Sequence, residues 1–216
     1  MGRALIIAEK PDQGRTLASP FQVKKRNGFL EILPNKLFKE GAYVTWAIGH
    51  LTQLVHPEKY DASWKVWQLE TLPMIPNRFQ YEIAKGKYKQ FQLVKHLLQD
   101  KEVTTIIHAG DAGREGELIV RNIITLSGVQ KPMQRLWISS LTKKAILDGF
   151  QSLKTEKETR PLYYEAYARA CADWLVGMNA SRVYTILLKQ KGMNDVFSVG
   201  RVQLYPLNFR AFFNSP

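Results

Sequence analysis

The sequence has one cysteine, no long apolar run and no signal-peptide pattern, and each absence removes a class of protein. The single Cys171 cannot form an internal disulfide and excludes a cysteine-rich zinc site within the 216 residues. No apolar run reaches the ~18 residues typical of a membrane span. The first ten residues also lack the charged and apolar regions of a signal peptide. We therefore expect a cytoplasmic protein that does not span a membrane.

Acidic residues are scarce relative to basic ones. The chain has 31 Lys and Arg residues against 19 Asp and Glu residues, which gives a formal net charge of +12. An excess of this size favours a polyanionic partner over a merely soluble basic protein. Hydrophobic residues make up 45% of the chain, enough for one large domain or two small ones. These features predict a globular protein that associates with nucleic acid.

The most informative stretch is TTIIHAGDAGREGE, residues 104–117. Val103 to Ala109 has the apolar, β-branched composition of a buried strand, and a helical pattern follows the stretch. Asp111, Glu115 and Glu117 lie where the strand ends, which is the sheet edge where α/β folds build their sites. Clustered carboxylate oxygens suit Mg²⁺. The simpler alternative is an acidic first helical turn that is favoured by the helix dipole.

A second strand-to-helix corner favours a site. The apolar run Arg3 to Ala8 ends at Glu9-Lys10-Pro11, and Pro11 fits the first turn of a helix. If the two strands are neighbours in a parallel sheet, Glu9 and Asp111 face the same crevice. Lys10 then adds a cation beside any phosphate that is bound there.

These corners carry a family resemblance. The segments IIAEKP and DAGREGE resemble the Toprim domain of type IA DNA topoisomerases, most closely the bacterial topoisomerase III group. The resemblance continues, in order, through WAIGHL, W-x-L-x-x-L-P, RLWISSLT, ADWLVGMNASR and SVGRVQ. Ordered motifs over roughly 200 residues are strong evidence, because each added match lowers the risk that any one is accidental.

Strands that alternate with helices predict an α/β fold with a mostly parallel sheet. The resemblance identifies this part, residues 1–153, as a Rossmann-like Toprim domain. A charged linker at 155–160 and a long helical run that follows predict a partial α-helical DNA-binding domain over 154–203. The tail 204–216 does not resemble the family and is interpreted as the result of truncation.

The local patterns also predict individual elements. A basic turn is expected at 24–28 and a loop-like segment at 54–76. The remaining predicted elements are strands at 29–33, 43–48 and 134–138, and helices at 12–18, 87–100 and from the cap Thr142 to about 153.

The resemblance implies an ATP-independent, Mg²⁺-dependent enzyme that cleaves one DNA strand, passes another through the gap and reseals it. The absence of a glycine-rich P-loop agrees with this. In this family Glu9 is expected to act as general acid or base, and Lys10 to stabilise phosphate charge. Mg²⁺ is expected on Glu9, Asp111 and Glu115.

The resemblance also implies DNA contacts, chiefly from tryptophan, arginine and the SVGRVQ motif. The residues expected to bind DNA are Trp67, Arg114, Arg169, Trp174, Arg182, Ser198, Val199, Gly200, Arg201, Val202 and Gln203. Single strands are the expected ligand, because a tryptophan stacks only on unpaired bases, a contact worth ~1–3 kcal/mol. A monomeric, nucleoid-associated bacterial protein is expected.

Two departures from the family pattern limit these expectations. The acidic motif D-x-D-x-E has Gly113 at its second Asp position, which favours one Mg²⁺ over two. The nucleophilic tyrosine motif is also absent, since Tyr205-Pro206-Leu207 directly follows SVGRVQ, where the family has T-P-T-L. The fragment alone is therefore expected not to cleave DNA. A non-catalytic single-stranded-DNA-binding module and a Toprim-type nuclease are the alternatives.

Overall fold

The computed structural model describes residues 2–200, which divide into two compact units. Within these residues, the first unit comprises 2–53 and 81–167, and the second comprises 54–80 and 168–200. This division differs from the expected domain limit after residue 153, because the start of the long helix packs with the first unit. The predicted domain limits at 153 and 203 stay a prediction.

The strands of residues 2–200 are β1 (Arg3–Ala8), β2 (Val23–Arg26), β3 (Phe29–Ile32), β4 (Ala42–Trp46), β5 (Thr52–Leu54), β6 (Tyr81–Ile83), β7 (Val103–Ala109), β8 (Met133–Arg135) and β9 (Lys154–Thr155). Seven of them form a sheet at the centre of the first unit, in the order β2-β3-β4-β1-β7-β8-β9. Strand β1 pairs in parallel with β4 and β7, and β7 pairs in parallel with β8, whereas the outer strands are antiparallel. A separate two-stranded sheet contains β5 and β6.

The α-helices of residues 2–200 are α1 (Pro11–Ala18), α2 (Pro57–Tyr60), α3 (Tyr88–Gln99), α4 (Arg114–Ser127), α5 (Lys143–Gln151) and α6 (Glu156–Gln190). Short 3₁₀ turns occupy Ala62–Lys65 and Leu69–Thr71. The predicted cap of α5 is confirmed, since the Thr142 hydroxyl oxygen accepts a hydrogen bond from the amide of Ala145 at 3.3 Å. In the described residues, no helix is both long and apolar enough to cross a membrane.

The central strands are apolar on both faces because both faces are covered. In β1, Ile6 and Ala8 belong to one buried cluster, whereas Leu5 and Ile7 belong to the other. Such continuous apolar runs are typical of parallel strands with helices on each side. The predicted α/β fold with a mostly parallel central sheet is therefore confirmed.

The expected basic turn at 24–28 is instead part of a β-hairpin. Lys24 in β2 pairs with Glu31 in β3, and the guanidinium of Arg26 donates to the same carboxylate at 2.7 Å. The turn residue Gly28 has a φ of 83°, which glycine adopts without strain. The three consecutive basic residues of β2 do not by themselves indicate a strand. The carboxylate that stabilises them, Glu31, lies on the neighbouring strand β3.

The expected linker at 155–160 is instead the last residue of β9 and the start of α6. The amide of Thr155 donates to the carboxylate of Glu158 at 2.7 Å, which is one half of a capping box. Pro161 lies inside α6, where its missing N–H removes one backbone hydrogen bond and its ring crowds the carbonyl four residues earlier. The T-x-x-E spacing was a readable start signal, but the run of charged residues obscured it.

The second unit is centred on the C-terminal part of α6. The indole of Trp174 packs edge-on against Tyr60 and Phe79, and its N–H donates to the carbonyl of Val55 at 3.0 Å. The Asn179 side chain bonds both to the amide and to the carbonyl of Met74, at 2.6 and 3.0 Å. These contacts hold the irregular segment 54–80 against the helix.

Candidate active site

Two neighbouring parallel strands bring the two predicted corners together. Ala8 of β1 lies opposite Ala109 of β7, so the residues that follow each strand emerge side by side. The amide of Asp111 donates a hydrogen bond to Oε2 of Glu9 at 3.2 Å. The prediction that Glu9 and Asp111 share one edge of the sheet is therefore confirmed.

Lys10 lies between the two carboxylates. Its ammonium nitrogen is 3.3 Å from Oδ2 of Asp111 and 3.7 Å from Oε1 of Glu9. The hydrogen bond and the charge of Asp111, followed by the charge of Glu9, raise the pKa of Lys10 above its ordinary value. The Glu9 side chain is only 10% exposed, whereas those of Asp111 and Lys10 are more than half exposed. The site therefore presents Asp111 and Lys10 to solvent above a nearly buried Glu9.

Sequence reasoning missed Gln13, which orients both carboxylate residues. Its amide nitrogen donates to Oδ1 of Asp111 at 2.9 Å, and its amide oxygen accepts from the backbone N–H of Glu9 at 2.8 Å. Gln13 lies on α1, four residues after Glu9, so one helical turn returns its side chain to the corner. That spacing was the available signal.

Glu115 is not brought into a preformed ligand cluster. It is exposed in the first turn of α4. Throughout residues 2–200, no group of three His, Cys, Asp or Glu side chains converges on a point that could hold a metal ion. Glu9 and Asp111 still fit Mg²⁺, which takes one or two protein carboxylates and keeps several waters. The expected three-ligand set is thus reduced to a converging pair, with Glu115 further out.

Glu117 has a different role from the other acidic residues of the motif. It is fully buried, and its two oxygens accept from Nε of Arg135 at 2.5 Å and from Nε of Arg121 at 2.7 Å. The helical rotation between positions 115 and 117 turns this side chain inward. Nearby His108 is also fully buried; desolvation first, then the charges of Arg135 and Arg121, hold its pKa well below the ordinary value.

Gly116 allows the turn that carries Asp111 to lie directly on α4. A β-carbon added at this position would lie 2.2 Å from the carbonyl oxygen of Asp111 and 2.8 Å from its backbone nitrogen. Real side chains do not approach backbone atoms so closely, so any other residue would displace the turn. The second glycine of the G-R-E-G-E segment therefore has a packing reason that sequence reasoning did not identify.

Two of the expected DNA-binding residues are used internally in the second unit. Trp174 is only 6% exposed and has its N–H bonded to backbone, so its ring faces are not available for stacking. Arg182 is 4% exposed and donates to the carbonyl of Trp64 at 2.5 Å. The equal phase of these two residues on α6 was correctly expected, but they face the segment 54–80 rather than solvent. Trp67 is 41% exposed, and the Arg182 guanidinium lies 5.2 Å from its ring centroid.

The other expected DNA-binding residues differ in accessibility. Arg114 forms an ion pair with Glu165, and Arg169 is half-buried. Ser198 is exposed, Val199 is buried with its amide bonded to the Ser181 hydroxyl at 2.8 Å, and Gly200 is half-buried. Arg201, Val202 and Gln203 lie outside the described residues.

Comparisons with known proteins identify the family of the chain. The profile of the Toprim domain matches residues 4–141, and the profile described as DNA topoisomerase matches residues 157–210. The chain is 47% identical to DNA topoisomerase 3 of Bacillus subtilis over 204 residues, which is 94% of this chain and 26% of that protein. It is 46% identical to DNA topoisomerase 3 of Staphylococcus haemolyticus over 202 residues, 93% of this chain and 27% of that protein.

A solved structure shows the same fold. Full-length topoisomerase I from Thermotoga maritima matches with a TM-score of 0.55 and 22% identity, covering 92% of this chain and 28% of that one. The chain thus spans about a quarter of the length of the curated relatives to which it is similar.

Proposed function

Because this chain belongs to the Toprim family and is homologous to the N-terminal region of DNA topoisomerase 3, a type IA enzyme, we propose that it supplies the acid–base and cation-binding part of an ATP-independent topoisomerase. The whole enzyme would break one DNA strand, pass another through the gap and rejoin the first. The observation that carries the proposal is the convergence of Glu9, Lys10 and Asp111 at the carboxyl edge of β1 and β7.

Glu9 and Asp111 are the residues that would hold Mg²⁺ directly, with Glu115 acting through water. Bound there, the cation would supply positive charge that stabilises a phosphate in its transition state. The Lys10 ammonium already lies within 3.7 Å of both carboxylates, so it neutralises part of their charge without a metal. A bound cation would release this ammonium from the carboxylates and leave it free to contact a phosphate oxygen.

Glu9 is the proposed general acid or base. It is 8% exposed, and one oxygen is engaged by the Asp111 amide, which fixes the direction of the carboxylate. The other oxygen faces Lys10, on the side where the site opens to solvent. A carboxylate held in this way is positioned to move a proton at the scissile 3′ oxygen.

Single-stranded DNA is the proposed ligand. The protein is proposed to bind it in the bacterial cytoplasm, on the nucleoid. The net charge of +12 supplies the electrostatic attraction. Exposed Trp67 offers a ring face for an unpaired base. Arg114, Arg169 and the motif SVGRVQ are the proposed contacts to the DNA backbone. The proposed working form is a monomer.

The test combines cation binding with covalent trapping. We expect Mg²⁺ to raise the melting temperature of the chain, with a stabilisation of ~2.7 kcal/mol at 100 times the Kd. Asp111→Asn should remove most of this effect, whereas Asp148→Asn, on the exposed side of α5, should retain it. With labelled single-stranded DNA and Mg²⁺, the chain alone should bind but form no covalent adduct.

The alternatives predict other outcomes. A protein-linked label after denaturation would contradict the proposal that no tyrosine of this chain acts as the nucleophile. Steady release of cleaved, unlinked DNA would favour a Toprim nuclease. Identical melting of wild type and Asp111→Asn with and without Mg²⁺, together with tight single-strand binding, would favour a non-catalytic binding module.

A further inference from the structure

Arg135 is fully buried, although it carries a charged side chain and lies at the end of β8. Its guanidinium donates to the carbonyls of Gly110 at 2.8 Å, of Asp111 at 2.7 Å, of Leu136 at 2.5 Å and, more weakly, of His108 at 3.3 Å. Two of these carbonyls, those of Gly110 and Asp111, belong to the turn that follows β7, and His108 lies near the end of β7 itself. One side chain thus fixes the backbone of the turn from which Asp111 projects.

The same turn also fixes Glu9. Arg135 binds the carbonyl of Asp111, and the amide of the same residue donates to Oε2 of Glu9 at 3.2 Å. The turn rests on Gly116 on its other side, where a β-carbon would be only 2.2 Å from the Asp111 carbonyl oxygen. Movement of this turn would therefore change the separation and direction of both carboxylates together.

The position of Arg135 is set by a buried ion pair. Its Nε donates to Oε1 of Glu117 at 2.5 Å, and the second oxygen of Glu117 is held by Arg121. Arg121 also donates to the side chain and the carbonyl of Glu156, but no hydrogen bond described for it reaches the Asp111 turn. The two arginines therefore share one carboxylate partner and differ in whether they hold the turn.

We propose that Arg135 is a positioning residue for the cation site formed by Glu9 and Asp111. The inference deepens the proposed function and rests on it. Arg135 cannot contact a phosphate or a cation itself, because its side chain is fully buried. It acts through the turn, whose carbonyls it holds in the arrangement in which the Asp111 amide contacts Glu9 and the Asp111 carboxylate contacts Lys10.

A lysine cannot reproduce these contacts. The planar guanidinium offers five donors in a fixed geometry, whereas an ammonium offers three donors from a single atom. Arg135→Lys keeps the positive charge beside Glu117 but loses most of the bonds to the turn. Residues that orient metal ligands in this indirect way change metal affinity by roughly 10–100-fold when substituted.

The experiment measures Mg²⁺ affinity by calorimetry and by the Mg²⁺-dependent change in melting temperature, using the whole chain. We expect Arg135→Lys to weaken Mg²⁺ binding by roughly 10–100-fold. The matched control is Arg121→Lys, which disturbs the same Glu117 carboxylate without touching the turn. It should lower the melting temperature but leave Mg²⁺ affinity within about twofold of wild type, since it breaks none of the bonds to the turn.

A second variant covers the case in which Arg135→Lys does not fold. The double variant Arg135→Met with Glu117→Gln removes the two charges of this pair together, and Arg121 keeps Glu156 as its carboxylate partner. It should fold and show the same weakened Mg²⁺ binding. Wild-type Mg²⁺ affinity in either folded variant, or an equal loss in Arg121→Lys, would overturn the positioning role. Absence of any Mg²⁺ response in the wild type would overturn the metal site itself, and the positioning role with it.

Discussion

Gly113 occupies the position where the acidic motif of the family carries its second aspartate, and Gly113→Asp tests whether the cation site lies here. The backbone at this position is extended, with φ 175° and ψ 172°, a conformation that any residue adopts. A β-carbon added there would have no heavy atom of the described residues within 4 Å. The substitution therefore adds a carboxylate with no steric cost.

The expected gain follows from Coulomb's law. A carboxylate about 6 Å from a doubly charged cation is attracted by ~1.4 kcal/mol even at the dielectric constant of water, which is about tenfold in affinity. A lower local dielectric would raise this toward a hundredfold, and salt would reduce it. Without Mg²⁺ the new charge faces Asp111 and Glu115, a repulsion of ~0.5–1 kcal/mol. This repulsion is partly offset because aspartate is favoured over glycine at a helix N-cap by a few tenths of a kcal/mol.

Gly113→Asp should therefore melt at or slightly below the wild-type temperature without Mg²⁺ and above it with Mg²⁺. The control is Gly113→Asn, which has nearly the same shape and N-cap preference but no charge. Titration calorimetry measures the Mg²⁺ affinity of each variant, and melting curves with and without Mg²⁺ measure its melting temperature. Equal Mg²⁺ affinity in the aspartate and asparagine variants would refute the assignment of the cation to this corner.

Three further substitutions test the separate roles of the cation site, the exposed Trp67 and the buried Trp174. Lys10→Ala removes the ammonium that lies 3.3 Å from Asp111 and 3.7 Å from Glu9, so it should strengthen Mg²⁺ binding severalfold and weaken DNA binding. Unchanged Mg²⁺ affinity in calorimetry would contradict competition between the two cations. Trp67→Ala should weaken single-stranded DNA binding by ~1–3 kcal/mol in fluorescence anisotropy, with little change in melting temperature. Trp174→Phe should instead lower the melting temperature, and equal DNA affinity of the wild type and the Trp67 variant would exclude stacking at that ring.

The sequence alone determined the two strand-to-helix corners and the fold class. Each buried strand is specified locally by a short apolar run. One run is followed by Gly110 and the other by Glu9-Lys10-Pro11. Val103–Ala109 and Arg3–Ala8 form with the predicted bounds, and Thr142 caps α5 as expected. The pairing of Glu9 with Asp111 was also predictable, because adjacent parallel strands end at the same edge.

Only the tertiary structure decided which polar residues face the site and which lie in the core. Within one acidic motif, Asp111 reaches solvent whereas Glu117 is buried between Arg121 and Arg135, because helix rotation and a strand distant in sequence determine its environment. Trp174 is buried for the same kind of reason. Its helix could have presented it to DNA, but a segment more than a hundred residues earlier covers it, as its bond to Val55 shows. The sequence around a residue specifies its local conformation, whereas its exposure depends on which distant segment packs against it.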